Sequence, residues 1–235
     1  MSDNAKSEVS AVCSTHALIF ELEYVAAKTR SIEFKSIKSA VGTKGVELSQ
    51  VQFSRSGMSP LHRAAVTDVL LQAGKKADAI EKAVAEVNKA VSVYCESEAE
   101  LDKGLEKLIK ATQARGIPVI AFTALPKADA KNLMAKLGLD AMGVELLIPE
   151  EVKSSFPRAD DWLKMLKQCD KEGVTLVAVV SSQVACKGAL TAGAACVVVP
   201  DEYTAFQDFS GAKLILDSLS DEKPDTILDL TLRMR

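Results

Sequence analysis

Apolar and polar positions are arranged differently in the two parts of this chain. Ala17 to Phe20 form a four-residue apolar run that, with His16, predicts a buried strand ending at Glu21. From Ala26 to about Tyr94 the spacing turns helical. Ile32, Phe34, Ile37, Ala40 and Val41 recur near every 3.6 residues, and Gly42 and Gly45 punctuate before the segment VELS. FSRSGMSP reads as a turn-rich break. Leu61–Ala73 and Ala79–Val93 then read as two amphipathic helices separated by Gly74.

After Cys95 short apolar runs alternate with helical stretches. ESEAELDKGLEKLIKATQARG predicts a helix ending at Gly116, and IPVIAFT a β-branched buried strand. ADAKNLMAKLGLD is a helix closing at Gly138, followed by a strand in MGVELLI. RADDWLKMLKQCDKEG, VTLVAVV, VACKGALTAGA and ACVVVP continue as helix, strand, helix and strand. GAKLILDSL is a last strand or sheet edge, and DEKPD a solvated turn. Strands alternating with 10–15-residue helices imply βαβ units around a parallel sheet. The expected fold is α/β: residues 15–25 and 95–235 build a Rossmann-like sheet core, residues 26–94 a helical insert, and residues 1–14 a flexible leader. Ligands of such sheets bind beyond the carboxyl ends of the strands. Those ends carry Glu21 and Glu23, Thr123, LLIPEE, and Ser181 with Ser182.

Composition narrows the function classes. With 235 residues, 48% hydrophobic and 26% charged, the chain is long enough for a sizeable core. A net charge of -3 and 5% aromatics give no electrostatic or stacking case for nucleic acid. No apolar run has the length of a membrane span, and the first residues lack the order of a secretory signal. Five cysteines, none in a C-x-x-C pair and several in small apolar runs, predict free thiols in the cytoplasm or another reducing compartment. An organelle would follow if a transit peptide has been removed. With only His16 and His62, no zinc spacing is present.

The order of elements, with ARGIPVIAFT, GALTAGAACVVVPDEY and RSIEFKSIKSAVGTKGVELS, resembles the haloacid dehalogenase-like (HAD) superfamily over residues 16–205. The similarity is to its helical-cap, β-phosphoglucomutase-like branch of phosphatases and phosphomutases. The resemblance implies four catalytic motifs. The first, Asp-x-Asp-Gly, supplies a nucleophile, a general acid/base and Mg²⁺ ligands; here it reads Glu21-Leu22-Glu23-Tyr24. The second, a Ser or Thr that binds the phosphoryl group, matches Thr123, followed by Ala124. The third is a Lys, and Phe156 stands in its place, with Arg158 and Lys153 nearby. The fourth supplies metal acids, and Ser181-Ser182 stand there.

Phosphoryl transfer rests on in-line positioning and charge. An extra methylene displaces a carboxylate by about 1 Å, which can cost on the order of 100-fold. Two hydroxyls and two lengthened acids are poor ligands for a cation that wants charged oxygens. The resemblance therefore implies no cofactor, or Mg²⁺ at Glu21 and Glu23 if any metal site survives.

Several readings remain open. Glu21 and Glu23 are a working pair, a remnant kept for structure or partner binding, or solvated acids. Ser181 and Ser182 are helix caps or an anion site; Thr123 is a cap or a phosphate contact. Cys186 is a small buried residue or a reactive thiol. Met58, Ser59 and Pro60 are a helix start or a specificity element, and Trp162 is core packing. The functional expectation is an inactive HAD-like binding or regulatory module, with a protein segment or small phosphate-like anion as partner. The alternative is a Mg²⁺-dependent phosphatase or phosphomutase of weak or altered activity on a small phosphorylated metabolite.

Overall fold

The sheet of the computed structural model is six-stranded and wholly parallel. The structure describes residues 16–56, 58–76, 80–168 and 175–232. The strands are β1 (His16–Glu21), β2 (Val119–Phe122), β3 (Glu145–Leu147), β4 (Thr175–Val180), β5 (Ala195–Val198) and β6 (Leu214–Ile215). Their spatial order is β3-β2-β1-β4-β5-β6, so the winding reverses between β1 and β4. A crevice forms beyond the carboxyl ends of strands at such a switch point. Glu21 closes β1 there, and Ser181 directly follows β4.

Alternate residues of β1 feed two cores. Leu18 and Phe20 face one side with α5 (Lys103–Ala114), α6 (Lys127–Lys136) and α9 (Pro224–Leu232). Ala17 and Ile19 face the other with α7 (Ala159–Gln168) and α8 (Gln183–Thr191). Both faces are covered, which explains why the strands read as unbroken apolar runs. Between β1 and α5 lie α1 (Arg30–Gly42), α2 (Gln50–Ser56), α3 (His62–Gln72) and α4 (Ile80–Val93). Their apolar faces join the first core, with Ile37, Val41, Leu70 and Val87 buried. Gly116 and Gly138 follow α5 and α6 at φ 70° and 69°, a left-handed conformation that lets a helix stop without a Cβ clash.

Three expectations need correction. FSRSGMSP is not wholly a break: Phe53–Ser56 belong to α2. Ser49 and Gln52 form a reciprocal capping box, with Ser49 N–H donating to Gln52 Oε1 at 2.8 Å and Gln52 N–H to Ser49 Oγ at 3.2 Å. Phe53 anchors that helix, buried against Phe34 and Tyr203 at ring distances of 5.2 and 5.1 Å. The helix expected from Glu96 starts later. Tyr94–Glu98 form a wide π turn, and α5 begins after Asp102, whose carboxylate accepts from Leu105 N–H at 2.9 Å. DEKPD is only partly a turn, because Pro224 opens α9, whose Ile227 and Leu228 are buried. The leader, Cys13, Gly57, Ala79 and Cys169 lie outside the described residues.

Helix α8 lies close against the segment that precedes α7. A Cβ on Gly188 would stand 2.8 Å from the Pro157 carbonyl oxygen and 2.9 Å from Trp162 Cδ1. Gly188→Ala is therefore expected to lower stability by about 1–3 kcal/mol in urea unfolding. Gly42→Ala, with open space around its Cβ, is expected to change it by less than about 1 kcal/mol in the stabilising direction.

Candidate functional site

Glu21 and Glu23 are not solvated; they are 3% and 4% exposed. Strand β1 carries Glu21 to the switch point, and the π turn Leu22–Ala26 then folds Glu23 back under the sheet end. Glu21 Oε2 accepts from Ser181 N–H at 2.7 Å and from Ser181 Oγ at 2.6 Å. The Ser181 hydroxyl in turn accepts from Arg30 Nη2 at 3.0 Å. Arg30 Nη1 donates to Asp201 in an ion pair, and the guanidinium carbon lies 4.2 Å from the Tyr24 ring centroid. Arg30 opens α1, and Asp201 follows β5, so the chain of contacts joins the helical insert to the sheet core.

Glu23 sits in a second cradle. Its Oε1 accepts from Ala124 N–H at 2.6 Å and Leu125 N–H at 3.1 Å. Thr123 Oγ1 accepts from Leu125 N–H at 3.0 Å, which stiffens the same turn after β2. The carboxylate thus holds two backbone donors that point at the crevice. Nearby, Thr29 Oγ1 donates to the buried Glu33 at 2.8 Å.

Burial is the largest influence on these acids. It raises the pKa of Glu21 against the opposing pull of Arg30 and the Ser181 bonds. Burial also raises Glu23 to about 7, against its bonds to Thr123 and Ala124. Burial works against the charge on Arg30, yet Asp201, Tyr24 and Glu21 together push its pKa up.

The residues singled out from the sequence fall into three groups. Glu21 meets Ser181; Glu23 meets Thr123 and Ala124. Ser182 is the N-cap of α8, accepting from Ala185 N–H at 3.4 Å. Phe156 is buried 6.0 Å from Phe122, in an aromatic cluster completed by Trp162 at 4.9 Å from Phe122. Arg158 is exposed, and its backbone N–H donates to Asp161 at 2.8 Å. Lys153 pairs with Glu151 at 3.9 Å on the surface. Ser59 Oγ donates to the Ser154 carbonyl at 3.2 Å, across to the core. Cys186 is buried against the Cys196 thiol, a contact that lowers the pKa of Cys186 and, together with burial, raises that of Cys196. Sequence reading missed Arg30 and Asp201. Both had a signal: Arg30 opens the first helix after the acids, and Asp201 stands just past a strand's carboxyl end.

Two clefts flank the network. One, of about 570 Å³, is lined by Tyr24, Lys28, Arg30, Asp201, Tyr203 and Asp217. The other, of about 600 Å³, lies between α3, α4 and the turn after β2, and includes His62, Arg63, Asn88, Ala124 and Leu125.

No family model matches the chain. Protein CbbY of Cereibacter sphaeroides is 25% identical over 231 residues, 92% of this chain and 97% of that protein. The crystal structure of CbbY from Rhodobacter sphaeroides in complex with phosphate matches with a TM-score of 0.71 at 20% identity, covering 88% of this chain and 95% of that one. A HAD hydrolase of Entamoeba histolytica matches at TM-score 0.72 and 18% identity, over 93% and 100% of the two chains. The fold is haloacid dehalogenase-like. β-Phosphoglucomutase of Clostridium difficile matches at TM-score 0.71 and 16% identity, over 92% and 97% of the two chains.

The HAD-like fold implies Mg²⁺ beside the first-motif acids, and the donors here do not fit it. Mg²⁺ wants about six oxygens at roughly 2.0–2.1 Å in octahedral array. Glu21 Oε2 and Glu23 Oε1 are each turned to two protein donors on opposite sides, and Arg30 brings a positive charge beside Ser181. Among the described residues no group of three or more His, Cys, Asp and Glu side chains is placed to hold a metal.

The raised pKa of Glu23 has a measurable consequence. A carboxyl that titrates near 7 when folded and near 4.5 when unfolded binds its proton more tightly in the native state. The stability it contributes is full below about pH 4.5 and is lost as pH rises through about 7. Glu23→Gln is expected to flatten this dependence, which in the wild type amounts to at most about 3 kcal/mol. Urea unfolding from pH 4.5 to 8 reads it directly.

Proposed function

We propose that this chain is a HAD-like protein that has lost phosphoryl transfer and acts as a binding or regulatory module. The observation that carries the reading is the closed set of bonds from Glu21 through Ser181 to Arg30 and Asp201. A carboxylate nucleophile must present a free oxygen in line with phosphorus. The two bonds to Glu21 Oε2 turn its carboxylate toward Ser181, and that partner, just after β4, is a serine where the family places a metal acid. The Lys position is Phe156, packed into an aromatic cluster. The cation near Glu21 is instead Arg30, already bound to Asp201.

The same geometry bears on the partner. A small oxyanion would seek the Ala124 and Leu125 amides, but Glu23 holds both. A protein segment entering either flanking cleft is therefore the ligand class we favour over a free phosphate-like anion. Among the described residues no helix is long and apolar enough to cross a membrane.

The test is turnover together with metal binding. The protein is expected to hydrolyse p-nitrophenyl phosphate and a panel of phosphorylated sugars no faster than a boiled control. Millimolar Mg²⁺, alone or with beryllium fluoride, is expected to leave the thermal midpoint unchanged. A ligand at 100 times its Kd would instead raise it by about 5–10 °C. Turnover that disappears in Glu21→Ala would establish the Mg²⁺-dependent phosphatase or phosphomutase alternative and overturn this reading.

A further inference from the structure

Ser181 is the hinge of the charge network. Its hydroxyl donates to Glu21 at 2.6 Å and accepts from Arg30 at 3.0 Å, so one oxygen couples an acid to a cation that does not touch it. Arg30 is 4% exposed and has three separate supports: the Asp201 carboxylate, the Ser181 hydroxyl and the face of Tyr24. A guanidinium is planar, carries its donors in a fork and stacks on aromatic rings, so two acceptors and one ring satisfy it. A divalent ion would need a full shell of oxygen lone pairs at the same place. With Arg30 in place, the residues suit the first and not the second.

The supports and the cation come from different parts of the molecule. Glu21, Ser181 and Asp201 belong to the sheet core, whereas Arg30 belongs to α1 of the insert. The chain between them is pinned as well. Lys28 Nζ pairs with Asp102 at 2.7 Å, Asp102 N–H donates to the Ala26 carbonyl at 3.2 Å, and Tyr94 Oη donates to the Ala27 carbonyl at 2.9 Å. Both strands of the connection are thus tied together beside Arg30.

We propose that the Arg30 guanidinium is a tethered cation that stands in for the divalent metal at the end of β1 and seats the helical insert on the core without metal. The proposal rests on the reading above only in taking the wild-type crevice as metal-free. Removing the side chain leaves Glu21 and Asp201 facing a space of guanidinium size with no counter-charge. That space accepts an added cation, so Arg30→Ala makes the protein cation-dependent where the wild type is not.

The test compares wild type, Arg30→Ala and Arg30→Ala/Glu21→Gln with Mn²⁺ and with guanidinium chloride kept at low millimolar concentration. Mn²⁺ is read by electron paramagnetic resonance, guanidinium by the thermal midpoint. Arg30→Ala is expected to bind Mn²⁺ at least tenfold more tightly than wild type, and guanidinium is expected to raise its midpoint and displace the Mn²⁺. The double variant is expected to lose both responses. Should Arg30→Ala not fold alone, it is refolded with each cation: recovery with either supports the proposal, and recovery with neither overturns it. A folded Arg30→Ala that ignores both cations, or a wild type that binds Mn²⁺ equally well, also overturns it. The two readings fail separately. Metal-independent turnover by the wild type would defeat only the functional reading, and an indifferent Arg30→Ala in an inactive protein only this one.

Discussion

A buried guanidinium cannot be left without acceptors, and much of this molecule's organisation near the sheet ends answers that constraint. Taking a charge out of water costs several kcal/mol, which attraction offsets only when the geometry is good and the remaining donors are satisfied. Arg30 meets these terms through Asp201, Ser181 and Tyr24. Replacing one member of such a set leaves an uncompensated buried charge and costs about 3–5 kcal/mol. The network therefore specifies one arrangement of α1 on the core, whatever its net contribution to stability.

The two glutamates are held by different parts of the crevice. Glu21 is taken up by Ser181, and Glu23 by the amides of the turn after β2. Each added methylene, which would misplace a nucleophile, lets the carboxylate reach a donor inside the protein instead. The Tyr24 ring, in the position where the family has Gly, serves as the platform for Arg30. Tyr24, Phe156 and Ser181 each make a structural contact at these positions: with Arg30, with Phe122 and with Glu21.

Much of the fold was legible in the sequence. Continuous apolar runs such as VTLVAVV predicted strands buried on both faces, and β4 follows that run from Thr175 to Val180. The capping signals at Ser49 and Asp102 were present but outweighed by turn-rich or helix-rich neighbours, so α2 was missed and α5 began too early. At the site, local pattern located Glu21, Glu23, Thr123 and Ser181, because strand ends are local features. Pattern could not show that Arg30 reaches Asp201, a pairing across 171 positions created only by the closing of the insert on the core. Nor could it show that the acids are buried, since burial depends on what covers a strand end and not on the strand itself.

The account's central claim is that the crevice satisfies its own charges. A high-resolution crystal structure grown with millimolar Mg²⁺ and beryllium fluoride tests it most directly. The account predicts Arg30 on Ser181 and Asp201, Glu23 on the Ala124 and Leu125 amides, and no metal between the two glutamates. A Mg²⁺ ion bound by Glu21 and Glu23, with the Arg30 side chain swung out of the crevice, would contradict it.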